Sequence, residues 1–450
     1  MSNYNAIFKA YDVRGTVPDQ FNASMATAIG AAFARFALQE DPTTTRVLVA
    51  RDMRPSGVEM VSRFAEGVTS QGLDVVDLGL GSTDLLYFAA GSLNAPGAMF
   101  TASHNPAQYN GIKFCLSGAR PVGEESGLFQ IRDWASEGVA AGPRTGTVSQ
   151  QDLLAEFADH VRGFVDVKAL KPLKVVADTA NGMGGLVVPA VFSSLPFDLE
   201  VMFGELDGTF PNHPADPIQP ENQRDLMARV LEVGADVGLA FDGDADRVFL
   251  VDERGVGLSG STTTAILADA ILGRNPGGKV VYNLICSKAV PEVVKEAGGE
   301  AIRSRVGHSY IKQVMAETGA VFGGEHSAHY YFADNFRADS GLIAAVLVLE
   351  QMCLRDMKLS ELRVPYERYV ASGEINTVVE STSEVIDRVA AAYSEYSLDW
   401  LDGLTVDAGE WWFNLRPSNT EPLLRLNLEA GTQAEVDQHV AEVRALFALT

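Results

Sequence analysis

Val237-Gly-Leu-Ala-Phe-Asp-Gly-Asp-Ala-Asp-Arg-Val-Phe-Leu-Val-Asp252 reads as two short apolar runs, Val237 to Phe241 and Val248 to Asp252, joined by an acid-rich loop. Runs of that length, rich in branched and aromatic residues and bounded by Gly and Asp, are strands rather than helices. Asp242, Asp244 and Asp246 stand at i, i+2 and i+4, and they converge only if a tight loop turns them to one side. Their mutual repulsion then calls for a hard divalent cation. An EF-hand loop opens the same way, and Glu253 even falls at its twelfth position. Arg247 stands where that turn needs glycine, and strands rather than helices flank the loop, so a strand-loop-strand magnesium site is the better reading and a merely solvated loop the bland one.

Outward from this loop the same alternation recurs. Upstream, Leu173 to Asp178 reads as a strand, Asn181 to Gly185 as a turn, Gly185 to Ser194 as a helix, and Leu199 to Gly204 as a strand before the helix around Arg224 to Glu232. Towards the N-terminus, a helical face of Met25, Ile29, Phe33 and Phe36 precedes strand-like Arg46 to Ala50, Gly72 to Leu80 and Gly97 to Thr101. Downstream, a helix near Thr262 to Leu272 leads to strands Lys279 to Leu284 and Ala320 to Gly323. Apolar strands alternating with helical-period stretches indicate an α/β class with mixed, largely parallel sheets covered by helices.

Polar or Pro/Gly/Ser-rich connections near Gly138 to Gln151, Asp252 to Gly260 and Leu362 to Ser372 divide the chain into four units, 1–147, 148–254, 255–364 and 365–450. The last unit ends in a helix announced by the capping box Thr432 and Glu435, with Val436, Val440, Val443 and Phe447 on its apolar face. This helix is structural.

Composition narrows the function. The chain has 450 residues, enough for several domains, and 35 Lys plus Arg against 59 Asp plus Glu give a formal net charge of −24. That field repels nucleic acid and anionic membrane surfaces, so neither is an expected partner, and an anionic small molecule must be held by local cations. Cys115, Cys286 and Cys353 fit neither a disulfide framework nor a thiolate metal site, which suits a reducing cytoplasm. No signal peptide is evident, and the apolar run Leu342 to Leu349 is broken by Glu350, too short to span a bilayer.

Other loops carry chemistry. Thr101-Ala-Ser-His-Asn-Pro106 places Ser103 and His104 just after an apolar strand; a serine needs a base or an attached phosphoryl group to react, and ordinary loop chemistry is the alternative. Lys113 follows on the next strand, either balancing an anion, acting as acid or base, or simply facing solvent. His308 stands just after Gly307, in Arg305-Val-Gly-His308, and is an acid/base candidate or a surface histidine. Gly323-Gly-Glu-His-Ser-Ala-His329 collects Glu325, Ser327 and His329 on one turn, a donor and acceptor mixture suited to sugar hydroxyls; an ordinary polar loop with two histidines is the alternative. Arg416-Pro-Ser-Asn-Thr-Glu-Pro422 has the composition of an anion cradle, with Arg425 just beyond it; a polar turn between strands is the alternative.

In this order, T-A-S-H-N-P, D-G-D-A-D-R, G-E-H-S-A-H and R-P-S-N-T-E-P resemble the α-D-phosphohexomutase superfamily, most closely its phosphomannomutase/phosphoglucomutase branch. The opening Phe8-Lys-Ala-Tyr-Asp-Val-Arg-Gly15 is similar too, and the match spans nearly the whole chain. The resemblance implies three similar α/β domains followed by a smaller α+β C-terminal domain. It implies that Ser103 is a phosphoserine, that Asp242, Asp244 and Asp246 bind Mg²⁺ together with a phosphoserine oxygen, and that Arg247 steadies the phosphoryl group while Arg14 faces the site. Glu325 and Ser327 would grip sugar hydroxyls, and Arg416, Ser418, Asn419 and Thr420 would hold the non-transferring phosphate. His104, Lys113, His308 and His329 are the acid/base candidates.

The implied reaction interconverts mannose 1-phosphate and mannose 6-phosphate, with glucose phosphates as further substrates, through a hexose 1,6-bisphosphate that also serves as activator. The partner is thus a small sugar phosphate, and the enzyme a monomer or homodimer. A phosphoglucosamine mutase and a Mg²⁺-dependent sugar phosphatase are the rival readings. Two departures stand out: Ile285 replaces a basic residue frequent in relatives, passing that phosphate contact to Lys288, and Ala328 stands where glycine is frequent.

Overall fold

The computed structural model describes residues 3–417 and 423–447. Three stretches of it repeat one arrangement: strand, helix, strand, helix, strand, hairpin return. In the first, strands Arg46–Arg51, Asp74–Leu80, Gly97–Phe100 and Tyr109–Leu116 enclose helices Gly57–Ser70 and Thr83–Ser92. In the second, strands Lys174–Asp178, Asp198–Met202, Val237–Phe241 and Val248–Asp252 enclose Gly184–Phe192 and Arg224–Val233. In the third, Lys279–Asn283, Glu300–Ser304, Phe322–Gly324 and Tyr330–Phe332 enclose Ala289–Glu296 and His308–Thr318.

Every unit has the same spatial order. The unit's first strand lies between the second and third, parallel to both, and the fourth returns antiparallel beside the third. Val237–Phe241 and Val248–Asp252 are buried at every position, as strands covered on both faces are. Their register pairs Phe241 with Val248, so residues 242–247 must form a closed turn. That pairing is what converts the i, i+2, i+4 spacing of the aspartates into a cluster.

The first sheet grows at both edges, by Val13–Thr16 beside Tyr109–Leu116 and by Val148–Gln150 parallel to Asp74–Leu80. In the second addition Val148 to Gln150, just past the expected boundary at 147/148, find their ladder partners in the first sheet. Phe33, Phe64, Phe100 and Phe114 fill one side of this sheet, with Phe33 stacked on Phe114 at 4.5 Å.

A second core runs continuously through the first three units and includes helix Gly341–Arg355, which holds the run Leu342 to Leu349. Glu350 on this helix is buried and pairs with Arg274. Among the described residues, no helix is long and apolar enough to cross a membrane.

The C-terminal unit is smaller. Its antiparallel sheet, in the order Val370–Val378, Leu423–Ala430, Trp412–Pro417, Leu404–Asp407, Ser397–Asp399, packs one face on helices Thr382–Ala392 and Gln433–Ala445. Thr432 caps the last helix by accepting from the Glu435 N–H, as its capping signature predicts. The architecture is therefore the expected one, three similar α/β units with mixed sheets and an α+β unit.

Candidate active site

The hairpin turn between third and fourth strands carries chemistry in all three units, and the three turns meet. Each contains a non-glycine residue in the left-handed region: Ser103 at φ +48°, Ala245 at +59° and Ala328 at +66°. Such conformations persist only where the surroundings over-determine them. Ala328 enters this region with a Cβ, a penalty that glycine would avoid.

Arg54 shapes the Ser103 turn. Its fully buried guanidinium donates to Asp52 and to the carbonyls of Ser103, Asn105, Pro106 and Tyr109 at 2.6–3.1 Å. From the other side Gly243 presses on the same turn. A Cβ there would lie 2.4 Å from the Ser103 carbonyl oxygen, so only glycine lets the acidic turn approach so closely.

The result is a Ser103 Oγ that donates to Asp242 Oδ2 at 2.8 Å while lying 3.2 Å from His104 Nδ1. Asp242 also accepts from Arg247 Nε at 2.9 Å and from the Arg247 N–H at 3.2 Å. Arg247 Nη2 is 2.7 Å from His104 Nδ1, and because a guanidinium can only donate, that nitrogen accepts and the ring proton sits on Nε2. Burial, with Arg247 and Arg14 nearby, pushes His104 well below the ordinary imidazole range, so it is neutral. Arg14 reaches the same turn, donating to Asn105 Oδ1 at 2.5 Å and pairing with Asp12.

Lys113 crosses from the first unit to the acidic turn. Its ammonium lies 2.7 Å from Asp244 Oδ2 and 2.7 Å from Asp246 Oδ2. Burial alone would lower its pKa, but these two carboxylates hold it well above the lysine range. Thr83, at the start of helix Thr83–Ser92, donates its hydroxyl to Asp244 Oδ2 at 2.6 Å. Burial acts to raise the Asp244 carboxyl, yet Lys113 and Thr83 keep it far below the usual carboxylate range. Burial, reinforced by the neighbouring aspartates, pushes Asp242 and Asp246 upward.

The fit to a cation rests on what remains unpaired. Asp244 Oδ1 and Asp246 Oδ1 are buried and have no hydrogen-bond partner among the described residues, and Asp242, Asp244 and Asp246 each offer an oxygen within 4.8 Å of the others. Three converging carboxylates with two orphaned oxygens fit a hard divalent cation such as Mg²⁺, which takes oxygen ligands.

The third turn docks on the second through a backbone bridge between Arg247 and His329. His329, half-buried, places Nε2 3.8 Å from Asp246 Oδ1 and 4.0 Å from Asp339 Oδ2, and Nδ1 3.8 Å from Glu325. Ser327 Oγ lies 3.1 Å from His329 Nδ1. His308 opens helix His308–Thr318 with its ring 5.4 Å from that of Tyr11, and burial beside Lys312 holds it well below the ordinary imidazole range.

Two of the expected contact residues already have partners within the chain. Glu325 is buried and accepts from Tyr331 Oη, Asn283 Nδ2 and the Gly307 N–H at 2.5–3.1 Å, which braces the turn. The Lys288 ammonium binds Asp407 at 2.6 Å and the Gly409 carbonyl at 2.8 Å, which ties the third unit to the fourth. Arg416 donates to Glu374 at 3.0 Å, while Ser418, Asn419 and Thr420 lie outside the described residues. A cavity of about 330 Å³ between the third and fourth units is lined by Ser261, Thr262, Ile285, His326, Asn427 and Glu429.

Sequence reasoning missed Arg54 and Thr83. The signals were present in the turns after the unit's first two strands, the charged Arg51-Asp-Met-Arg54 and the helix start Ser82-Thr-Asp84, where Ser82 caps Leu85.

Comparison with known proteins agrees with this architecture. Models of the phosphoglucomutase/phosphomannomutase family match along the chain: alpha/beta/alpha domain I over residues 5–136, domain II over 155–255, domain III over 259–369 and the C-terminal domain over 374–446. A Xanthomonas campestris protein described as phosphohexose mutases is 40% identical over 446 residues, covering 98% of each chain. The phosphomannomutase of Escherichia coli K12 is 38% identical over 454 residues, again covering 98% of each. A crystal structure of a phosphoglucomutase/phosphomannomutase family protein from Burkholderia thailandensis superposes with a TM-score of 0.90 at 32% identity, covering 99% of this chain and 97% of that one. With all four domain models matched in order, the chain belongs to the phosphoglucomutase/phosphomannomutase family.

Proposed function

We propose that this chain is a phosphohexomutase acting on mannose and glucose phosphates, with Ser103 as the residue that carries the phosphoryl group. The observation that supports it best is the position of Ser103 Oγ, 2.8 Å from Asp242, a member of the cluster of three converging carboxylates. A cation held by Asp242, Asp244 and Asp246 supplies charge neutralisation for a phosphoryl group on Ser103.

The chain's own residues then divide the work. Arg54 and Gly243 fix the Ser103 backbone, so its oxygen is held in one place for in-line attack. Arg247, anchored by Asp242 and neutral His104, points its guanidinium at the phosphoryl group. Lys113 is a fixed cation opposite Asp244 and Asp246. As a hexose monophosphate hydroxyl takes the phosphoryl group from Ser103 Oγ, its proton must leave. His329, half-exposed and facing Asp246, Asp339 and Glu325, is the residue best placed to accept it. The resulting 1,6-bisphosphate turns over, and its other phosphoryl group returns to Ser103.

Arg416, with Ser418, Asn419 and Thr420, would grip the phosphate that is not moving. The test is an assay of mannose 1-phosphate and glucose 1-phosphate interconversion with catalytic hexose 1,6-bisphosphate, using wild type and Ser103→Ala. Loss of both activities in the variant is expected; full activity would overturn the role of Ser103. Release of free phosphate without 1-to-6 interconversion would indicate a phosphatase instead.

A further inference from the structure

The C-terminal sheet turns its polar face away from its helices. Along Trp412–Pro417, Phe413 and Leu415 enter the core while Asn414 and Arg416 take the other side; along Leu423–Ala430, Leu424, Leu426 and Leu428 enter it while Arg425 and Asn427 do not. Register then sets Arg416 directly opposite Arg425, and Arg425 opposite Asn376. Glu374 is two residues from Asn376 and so shares their face.

Like charges placed directly opposite each other destabilise a sheet, and two guanidiniums here need an anion. Glu374 supplies it, lying 3.0 Å from Arg416 Nη2 and 3.5 Å from Arg425 Nη1. A bulge between Ala371 and Glu374, with Gly373 at φ +68° and Ser372 Oγ accepting from the Leu428 N–H at 3.0 Å, sets the carboxylate at this height. The compensation is incomplete. Arg416 is only 8% exposed, yet its Nε, the Arg425 Nε and Asn427 Nδ2 have no hydrogen-bond partner among the described residues. Buried donors left unpaired beside a partly satisfied pair of cations point to an anion with more acceptors than one carboxylate.

We infer that Glu374 is an internal counter-anion, holding Arg416 and Arg425 in the substrate-free chain and competing with a bound phosphate for them. Phosphate offers each guanidinium two oxygens, which a shared carboxylate does not, so it displaces Glu374 on binding. In the mutase reading, on which the physiological ligand of this pocket rests, a bisphosphate must release its anchored phosphate and return by the other end. A carboxylate ready to take back both arginines favours that release over permanent capture. Glu374 is thereby a positioning residue that tunes phosphate affinity downward.

The sign of the effect separates this from a structural role. Inorganic phosphate is titrated calorimetrically into the full chain of wild type, Glu374→Gln, Glu374→Asp, and Glu374→Gln combined with Arg416→Ala. Glu374→Gln keeps the side-chain shape, and removal of a partly exposed competing ion pair is expected to tighten binding by about two- to fivefold. Glu374→Asp, which restores the charge, should return toward wild type, and the double variant should lose the gain. Unchanged or weaker binding in Glu374→Gln would overturn the inference, as would a gain that persists without Arg416. The titration involves no turnover, so it stands even if the wild type interconverts no hexose phosphate, and that failure would count only against the mutase reading.

Discussion

Lys113 concentrates the electrostatics of the site in one atom. Its ammonium bonds two buried carboxylates at once, and both of their remaining oxygens have no hydrogen-bond partner among the described residues. Removing one partner of a buried ion pair costs about 3–5 kcal/mol, because the other charge stays buried and uncompensated. Lys113→Met is expected to lose stability on that scale in metal-free buffer, and added Mg²⁺ to recover more of it than in wild type. Thermal melts with EDTA and with Mg²⁺ measure both; equal Mg²⁺ shifts in the two proteins would contradict a cation site at these aspartates. The convergence of Asp242, Asp244 and Asp246 was legible in the sequence because their spacing and flanking strands specify a closed loop. The role of Lys113 was not, since a lone strand lysine gives no sign of what it faces across 131 residues of chain.

At the scale of elements, hairpin turns and helix starts do the positioning. Gly243→Ala places a methyl 2.4 Å from the Ser103 carbonyl, so one of the two turns must move. Activity should fall by two orders of magnitude or more, as about 1 Å of misplacement costs roughly 10²-fold, while the melting temperature drops only a few degrees. Normal activity in Gly243→Ala would show that the close approach is not needed. Asp84, on the first turn of helix Thr83–Ser92, takes hydroxyls from Ser82 and from Ser340, the cap of helix Gly341–Arg355. Burial pushes its carboxyl up to about 7. A raised native pKa means the folded state binds the proton more tightly. Its stabilisation is full below about pH 4 and is lost as pH rises through 7, by up to about 4 kcal/mol. Asp84→Asn lacks that term, so its melting temperature relative to wild type should rise from pH 5 to pH 8. A constant difference across that range would contradict the assignment. Ser82 and Ser340 are ordinary caps in sequence; that they share one buried acid follows only from packing elements 256 residues apart.

Across the whole molecule, three copies of one strand order bring three unlike turns together, and a fourth sheet adds two arginines. The strands and helices of the second unit were readable from periodicity, whereas helices Gly57–Ser70 and Thr83–Ser92 of the first and helices Ala289–Glu296 and His308–Thr318 with strand Glu300–Ser304 of the third were not. The edge strand Val148–Gln150 was not, because three exposed residues in a polar connection carry no burial pattern. Nor was the inward turn of Glu325 or the pairing of Lys288 with Asp407, both decided by neighbours from distant segments. What unites the turns in this account is a phosphoryl group shuttling on one oxygen. The measurement that tests this most directly is exposure of the purified chain to isotopically labelled hexose 1,6-bisphosphate, peptide mapping of the label, and a chase with unlabelled mannose 1-phosphate. The account predicts label on Ser103 alone, released into hexose bisphosphate by the chase and absent from Ser103→Ala; label on another residue, or interconversion with no labelled chain, would contradict it.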